Sequence, residues 1–217
     1  MIITNERVAD YLNSLYKPLT DDLAQLRKDS EDKLIPIILR DAETFLMNIL
    51  RMKQPARILE IGTAVGYSAS CMAHVLPDCH ITTIESSEKS AEIARQNIQR
   101  LGYGEQIEVL CGPGQEVLDT LEPEYDLVFI DAAKSHYMTF WEKSLPLCSK
   151  NAIIICDNIL MKGKTVLDRM EVIRRYRTSH GKMRTFLEYI TNTEEADTSL
   201  LPIGDGIAFS VLKGNNE

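Results

Sequence analysis

The chain has 217 residues, 44% hydrophobic and 26% charged, which suits one globular domain with a substantial core. No apolar run approaches the roughly 20 residues of a membrane helix, and the N-terminal Met-Ile-Ile-Thr-Asn-Glu-Arg lacks the basic and apolar regions of a signal peptide. A net charge of −8 weighs against nucleic acid for the molecule as a whole, and five cysteines without a C-x-x-C pair suit buried thiols in a reducing cytoplasm better than a disulfide frame or zinc site.

Residues 1–52 read as helices. Asn5 can cap a helix over Glu6–Leu15, Thr20-Asp21-Asp22 can open a second through about Lys28, and Phe45, Leu46, Ile49 and Leu50 give Ala42–Met52 a helical spacing. The apolar positions Val8, Leu12, Leu15 and Leu23 either cover a cofactor edge or build a homodimer. From residue 57 to 217 strands and helices alternate. Strands are expected at Arg57–Ile61, His80–Glu85, Ile107–Cys111, Leu127–Asp131 and Ala152–Asp157. Helices are expected at Tyr67–Leu76, Glu88–Leu101, Gln115–Leu121 and Tyr137–Leu147. Near-continuous apolar strands such as Ile153-Ile-Ile155 imply a parallel sheet covered on both faces. The tail reads as two antiparallel strands, Thr185–Ile190 and Ile207–Lys213, joined by an acidic segment, Thr191–Gly206, long enough to act as a lid.

The first strand-turn-helix carries the sharpest signal. A dinucleotide fingerprint would need a glycine where Ala64 stands. The pattern here is E-x-G-x-x-x-G, from Glu60 through Gly62 to Gly66. An acid closing the strand repels phosphate and suits an ammonium or sulfonium ligand, and S-adenosylmethionine carries both. Glu85 ends the next strand, at the offset where an acid accepts hydrogen bonds from ribose hydroxyls; it could equally charge the N-terminus of the following helix. Gly112-Pro113-Gly-Gln115 either admits a flat base or only makes a turn.

Asp131 ends the fourth strand, and Asp157 and Asn158 end the fifth. Three hard oxygen ligands from adjacent strand ends suit Mg²⁺, although each could instead cap a turn. Lys134, three residues past Asp131, is a candidate general base, because a neighbouring cation lowers a lysine pKa. Lys162–Arg184 holds eight basic and two acidic side chains. That stretch is either a phosphate-binding patch or a solvated helix face.

Glu60-Ile-Gly62, Glu85, Gly112–Gln115, Phe129-Ile-Asp-Ala-Ala-Lys134, Cys156-Asp-Asn158 and Pro202-Ile-Gly-Asp-Gly206 occur in order from about Leu34 onward. This set resembles the cation-dependent class I O-methyltransferases, the catechol and caffeoyl-CoA group. Within it, the length, Ile35–Arg40 and the basic region are most similar to the bacterial tRNA 5-hydroxyuridine methyltransferases. The resemblance implies a Rossmann-like α/β fold with a seven-stranded, mostly parallel sheet whose last strand is antiparallel. It implies that Ile38, Gly62, Ser68, Glu85, Pro113 and Asp131 surround S-adenosylmethionine, with Glu60 beside them. It implies Asp131, Asp157 and Asn158 as Mg²⁺ ligands and Lys134 as base. The catechol enzymes add an acid after the fifth strand, where this chain is basic, which makes a free catechol the second choice of acceptor. The expected reaction is methyl transfer to the 5-hydroxyl of 5-hydroxyuridine at the tRNA wobble position. Arg174, Arg175, Arg177, Lys162 and Lys164 would hold anticodon-loop phosphates. The alternative acceptor is a small catechol or phenol.

Overall fold

The structure, a computed structural model, describes residues 6–214; the expected cap Asn5 lies outside them. Three helices come first: α1 (Glu6–Ser14), α2 (Asp21–Asp32) and α3 (Arg40–Lys53). The Thr20 hydroxyl accepts from the Leu23 N–H and starts α2 as the sequence implies. Then follow β1 (Arg57–Ile61), α4 (Tyr67–Val75), β2 (His80–Glu85), α5 (Glu88–Arg100), β3 (Ile107–Cys111), α6 (Gly114–Leu118), β4 (Tyr125–Ile130), α7 (Tyr137–Ser144) and β5 (Cys148–Cys156). The chain closes with α8 (Arg177–Asn192), β6 (Ala196–Leu201) and β7 (Ile207–Leu212). No described helix is long and apolar enough to cross a membrane.

The seven strands lie in the order β3-β2-β1-β4-β5-β7-β6. Only β7 runs against the others: it is antiparallel to both β5 and β6. Strand periodicity divides the core in two. Ile58, Leu127, Phe129, Ile153 and Ile155 face the layer of α2, α3, α4 and α5. Leu59, Ile61, Val128, Ile130 and Ile154 face α6, α7 and α8. Both faces are therefore dry, which is why these strands read as unbroken apolar runs. Each such side chain, fully buried, contributes about 1.5–3 kcal/mol.

The tail corrects the sequence reading. Thr185–Ile190 is not a strand but part of α8. Met183, Phe186 and Ile190 are fully buried at spacings of three and four, one face of a helix. The true partner of β7 is β6, inside the segment read as a lid. It pairs with β7 from Ala196↔Leu212 to Leu201↔Ile207. As an edge strand it packs one face weakly, so Ala-Asp-Thr-Ser-Leu-Leu carries little apolar alternation.

The topological switch falls between β1 and β4. Successive connections from β1 run to one side and those from β4 to the other, opening a crevice at their C-terminal ends.

Candidate active site

The crevice is closed at its base by one glycine. Gly62 has φ +112°, and a Cβ there would lie 2.0 Å from the carbonyl oxygen of Asp131. The turn after β1 therefore rests directly on the end of β4, at a backbone angle that suits glycine alone. The Gly62 N–H donates to Ile84 O and the Asp131 N–H to Ile61 O, which locks three strand ends together.

Two adjoining cavities share Gly62 and Ala132. One, about 400 Å³, is lined by Glu85, Pro113, Gln115, His136 and Phe140 among others. The other, about 330 Å³, is lined by Ile38, Tyr67, Ser68, Asp131, Lys134 and Asn158 among others. The first offers apolar walls, a carboxylate and an amide, as a nucleoside needs. The second gathers charge.

Glu85 lines the first cavity, and its carboxylate accepts from Ala64 N and Ser87 N, each at 2.9 Å. Glu60 lies behind the cavity wall, wholly buried. It accepts from the hydroxyls of Ser68 and Thr83, each at 2.5 Å. Burial pushes its carboxyl up to about 7, against the lowering effect of those hydroxyls. It thus orients Ser68 rather than facing the cavity.

In the second cavity the Lys134 ammonium lies 3.0 Å from Asp131 Oδ1 and 3.4 Å from both Asn158 Oδ1 and the Asp157 carbonyl. Asp157 Oδ1 accepts from the Asn158 N–H at 2.6 Å, while the buried Oδ2 has no partner. Burial, then the charge of Asp131, push the Asp157 carboxyl up to about 7. An unpartnered buried carboxylate oxygen, beside a second carboxylate and an amide oxygen already gathered around a cationic group, fits a divalent oxygen-seeking cation. With only two carboxylates the trio is not a three-carboxylate cage, so water or an acceptor would complete the coordination.

Several participants had no motif to reveal them. Tyr137 accepts from Lys134 Nζ at 2.6 Å and donates to the Asp157 carbonyl at 2.7 Å, tying the lysine to the end of β5. Arg27, on α2, is buried; it donates to Glu43 at 2.5 Å, Tyr67 at 3.1 Å and the Ile38 carbonyl at 2.9 Å. These contacts span 11 to 40 residues, and only the fold brings them together. They secure Ile38 and Tyr67, both of which line the second cavity.

A groove of about 720 Å³ runs past Leu39, the neighbour in sequence of Ile38, and past Lys162. Leu12, Phe45, Pro202 and Ile203 supply apolar walls, and Arg40, Asp41 and Asp205 supply charge. Leu23 is buried, but Val8, Leu12 and Leu15 remain about half exposed. The basic stretch runs through turns into the start of α8, which packs on the Lys134–His136 turn. Lys162, Arg174 and Arg175 are exposed. Arg177 is half-buried and donates to the carbonyls of Val172 and Met170. Lys164 donates to the Met161 carbonyl. Lys164 and Arg175 both lie over the ring of Tyr176.

Residues 13–213 match the O-methyltransferase family profile. A catechol O-methyltransferase of Niastella koreensis is 32% identical over 78% of this chain and 79% of its own length. A caffeoyl-CoA O-methyltransferase of Populus kitakamiensis is 29% identical over 95% and 93%. The crystal structure of the S-adenosylhomocysteine-bound methyltransferase PaMTH1 of Podospora anserina superposes with a TM-score of 0.86 at 27% identity, covering 96% of this chain and 94% of that one.

Proposed function

The chain belongs to the O-methyltransferase family of S-adenosylmethionine-dependent enzymes, and on that premise we propose that it methylates a hydroxyl whose neighbouring carbon carries a second oxygen. The observation that carries this reading is the unpartnered Asp157 Oδ2 beside Asp131 and Asn158. A divalent cation held there would act as a Lewis acid, favouring the ionised acceptor and fixing its direction.

The chain's own groups do the rest. The two cavities hold the cofactor across Gly62, with the nucleoside toward Glu85 and the amino-acid end toward Ser68 and Asp131. Lys134 Nζ is placed to take the acceptor proton; Asp131 and Tyr137 hold it in place. The acceptor oxygen forms a bond to the methyl carbon as the carbon–sulfur bond breaks. Sulfur keeps the electron pair, leaving S-adenosylhomocysteine. Holding oxygen, methyl and sulfur in line supplies much of the acceleration.

Two acceptors fit this chemistry. The names of the relatives favour a small catechol-like or phenolic molecule, and the partly apolar groove beside the site has room for one. The exposed basic side chains Lys162, Arg174 and Arg175 favour the second: 5-hydroxyuridine of a tRNA anticodon loop, whose 5-hydroxyl and 4-carbonyl are neighbouring oxygens. Ionic strength separates them. Methylation of tRNA lacking the modification should weaken steeply with salt and with Arg174→Ala/Arg175→Ala. Methylation of a small phenol should respond to neither. A salt-insensitive tRNA reaction, unchanged in the double variant, would remove the basic stretch from the account.

A further inference from the structure

The Pro202-Ile-Gly-Asp-Gly206 segment lies in the turn between β6 and β7 and takes no part in the cavities that hold the cofactor. Its contacts lead to the cation trio. Residues 158–163, which follow β5, carry Asn158 at φ +57°, Met161 at φ +52°, Lys162 at φ +56° and Gly163 at φ +76°. Three non-glycine residues in the left-handed region within five positions cost free energy, and such a turn persists only where its surroundings hold it.

The hold comes from the β6–β7 turn. Both carboxylate oxygens of Asp205 accept from the Lys162 N–H, at 2.6 and 2.8 Å. The Asp205 carbonyl accepts from Leu160 N at 2.8 Å, and the Gly206 carbonyl from Ile159 N at 3.0 Å. The turn is itself anchored, because Asp41 at the start of α3 accepts from Gly204 N at 2.8 Å. Asp205 is half-buried, so its carboxylate gives up part of its hydration to make this bond.

We propose that Asp205 is a positioning residue: its carboxylate holds the left-handed turn after β5 and thereby aims the Asn158 amide oxygen at the cation that Asp131 and Asp157 share. This rests on the reading that the trio binds a divalent cation. It assigns Asp205 no contact with the cofactor. Groups that orient metal ligands from behind are worth about 10–100-fold in metal affinity, and that is the scale expected here.

The test is Mn²⁺ binding, followed by electron paramagnetic resonance and calorimetry, on the full chain with S-adenosylhomocysteine present. Affinity for S-adenosylhomocysteine is measured separately in chelator. Asp205→Ala should weaken Mn²⁺ binding about tenfold or more while leaving S-adenosylhomocysteine affinity within a fewfold of wild type. Asp205→Asn drops the charge but keeps an acceptor oxygen, and should recover most of the lost Mn²⁺ affinity. If Asp205→Ala fails to fold, Asp205→Ser, whose hydroxyl sits one atom nearer the backbone and falls short of the Lys162 N–H, takes its place. Unchanged Mn²⁺ affinity in the alanine or serine variant would overturn the proposal. So would an equal loss in Asp205→Asn, which would assign the effect to charge, and so would a matching loss of S-adenosylhomocysteine affinity. Absence of Mn²⁺ binding by the wild type would instead overturn the cation reading, and the proposal with it.

Discussion

Glu60 is the most quantitative point of contact between this fold and its chemistry. Its carboxyl is wholly buried behind the cofactor cavity, and burial moves it from an ordinary 4.5 up to about 7. The unfolded chain loses this proton near pH 4.5, and the folded chain keeps it until about pH 7. Stability from this group is therefore fully present below pH 4.5, falls as pH rises through the interval, and is gone above about pH 7. At 1.36 kcal/mol per pH unit, the loss is about 3 kcal/mol. Glu60→Gln preserves the shape and can still pair with Ser68 and Thr83, but has no proton to lose. Urea unfolding of both proteins between pH 4 and 8.5 reads the effect, because titrating groups remote from Glu60 cancel in the difference. Wild type minus variant should fall by about 3 kcal/mol from the acid to the alkaline end and then level. A difference independent of pH would refute the argument that Glu60 is held uncharged by burial, whatever the offset between the curves.

Three further outcomes follow from the crevice. Gly62→Ala places a Cβ 2.0 Å from the Asp131 carbonyl at a φ that alanine avoids, so calorimetric affinity for S-adenosylhomocysteine should drop by about 100-fold or more, a loss of about 2.7 kcal/mol; a near-normal affinity would show that the turn yields cheaply. Lys134→Met removes the proton acceptor and should lower kcat about 10²–10⁴-fold while cofactor affinity, read by the same titration, changes little. Asp157→Asn replaces the unpartnered oxygen: thermal melts should show the metal-free variant no less stable than wild type, and Mg²⁺, expected to raise the Tm of the wild type, should leave that of the variant unchanged.

How far the sequence carried depended on what each residue's neighbours in the chain could show. The parallel core was legible because β4 and β5 are buried on both faces and so spell unbroken apolar runs such as Ile153-Ile-Ile155. The crevice was legible because open α/β sheets bind at strand ends, and Gly62, Glu85, Asp131 and Asp157 sit at or just past those ends. The tail was misread where two periodicities compete. Thr185–Ile190 is rich in residues that favour strands, yet Met183, Phe186 and Ile190 pack as a helix face. The edge strand β6 gives almost no alternation. Arg27 and Tyr137 were silent for a different reason: their partners are distant in sequence or are backbone atoms, and neither leaves a motif; Asp205 stood inside Pro202–Gly206, but nothing in that motif points to its bond with the Lys162 N–H. The basic stretch was visible as charge, but not the burial that engages Arg177 with the carbonyls of its own loop.

The most direct measurement is transfer of labelled methyl from S-adenosylmethionine to two acceptors in parallel, a catechol and tRNA bearing 5-hydroxyuridine, each with Mg²⁺ and with chelator. The account requires label on the hydroxyl oxygen of at least one acceptor, abolished by chelator and restored by Mg²⁺. Undiminished transfer in chelator would contradict the central claim that Asp131, Asp157 and Asn158 work through a divalent cation.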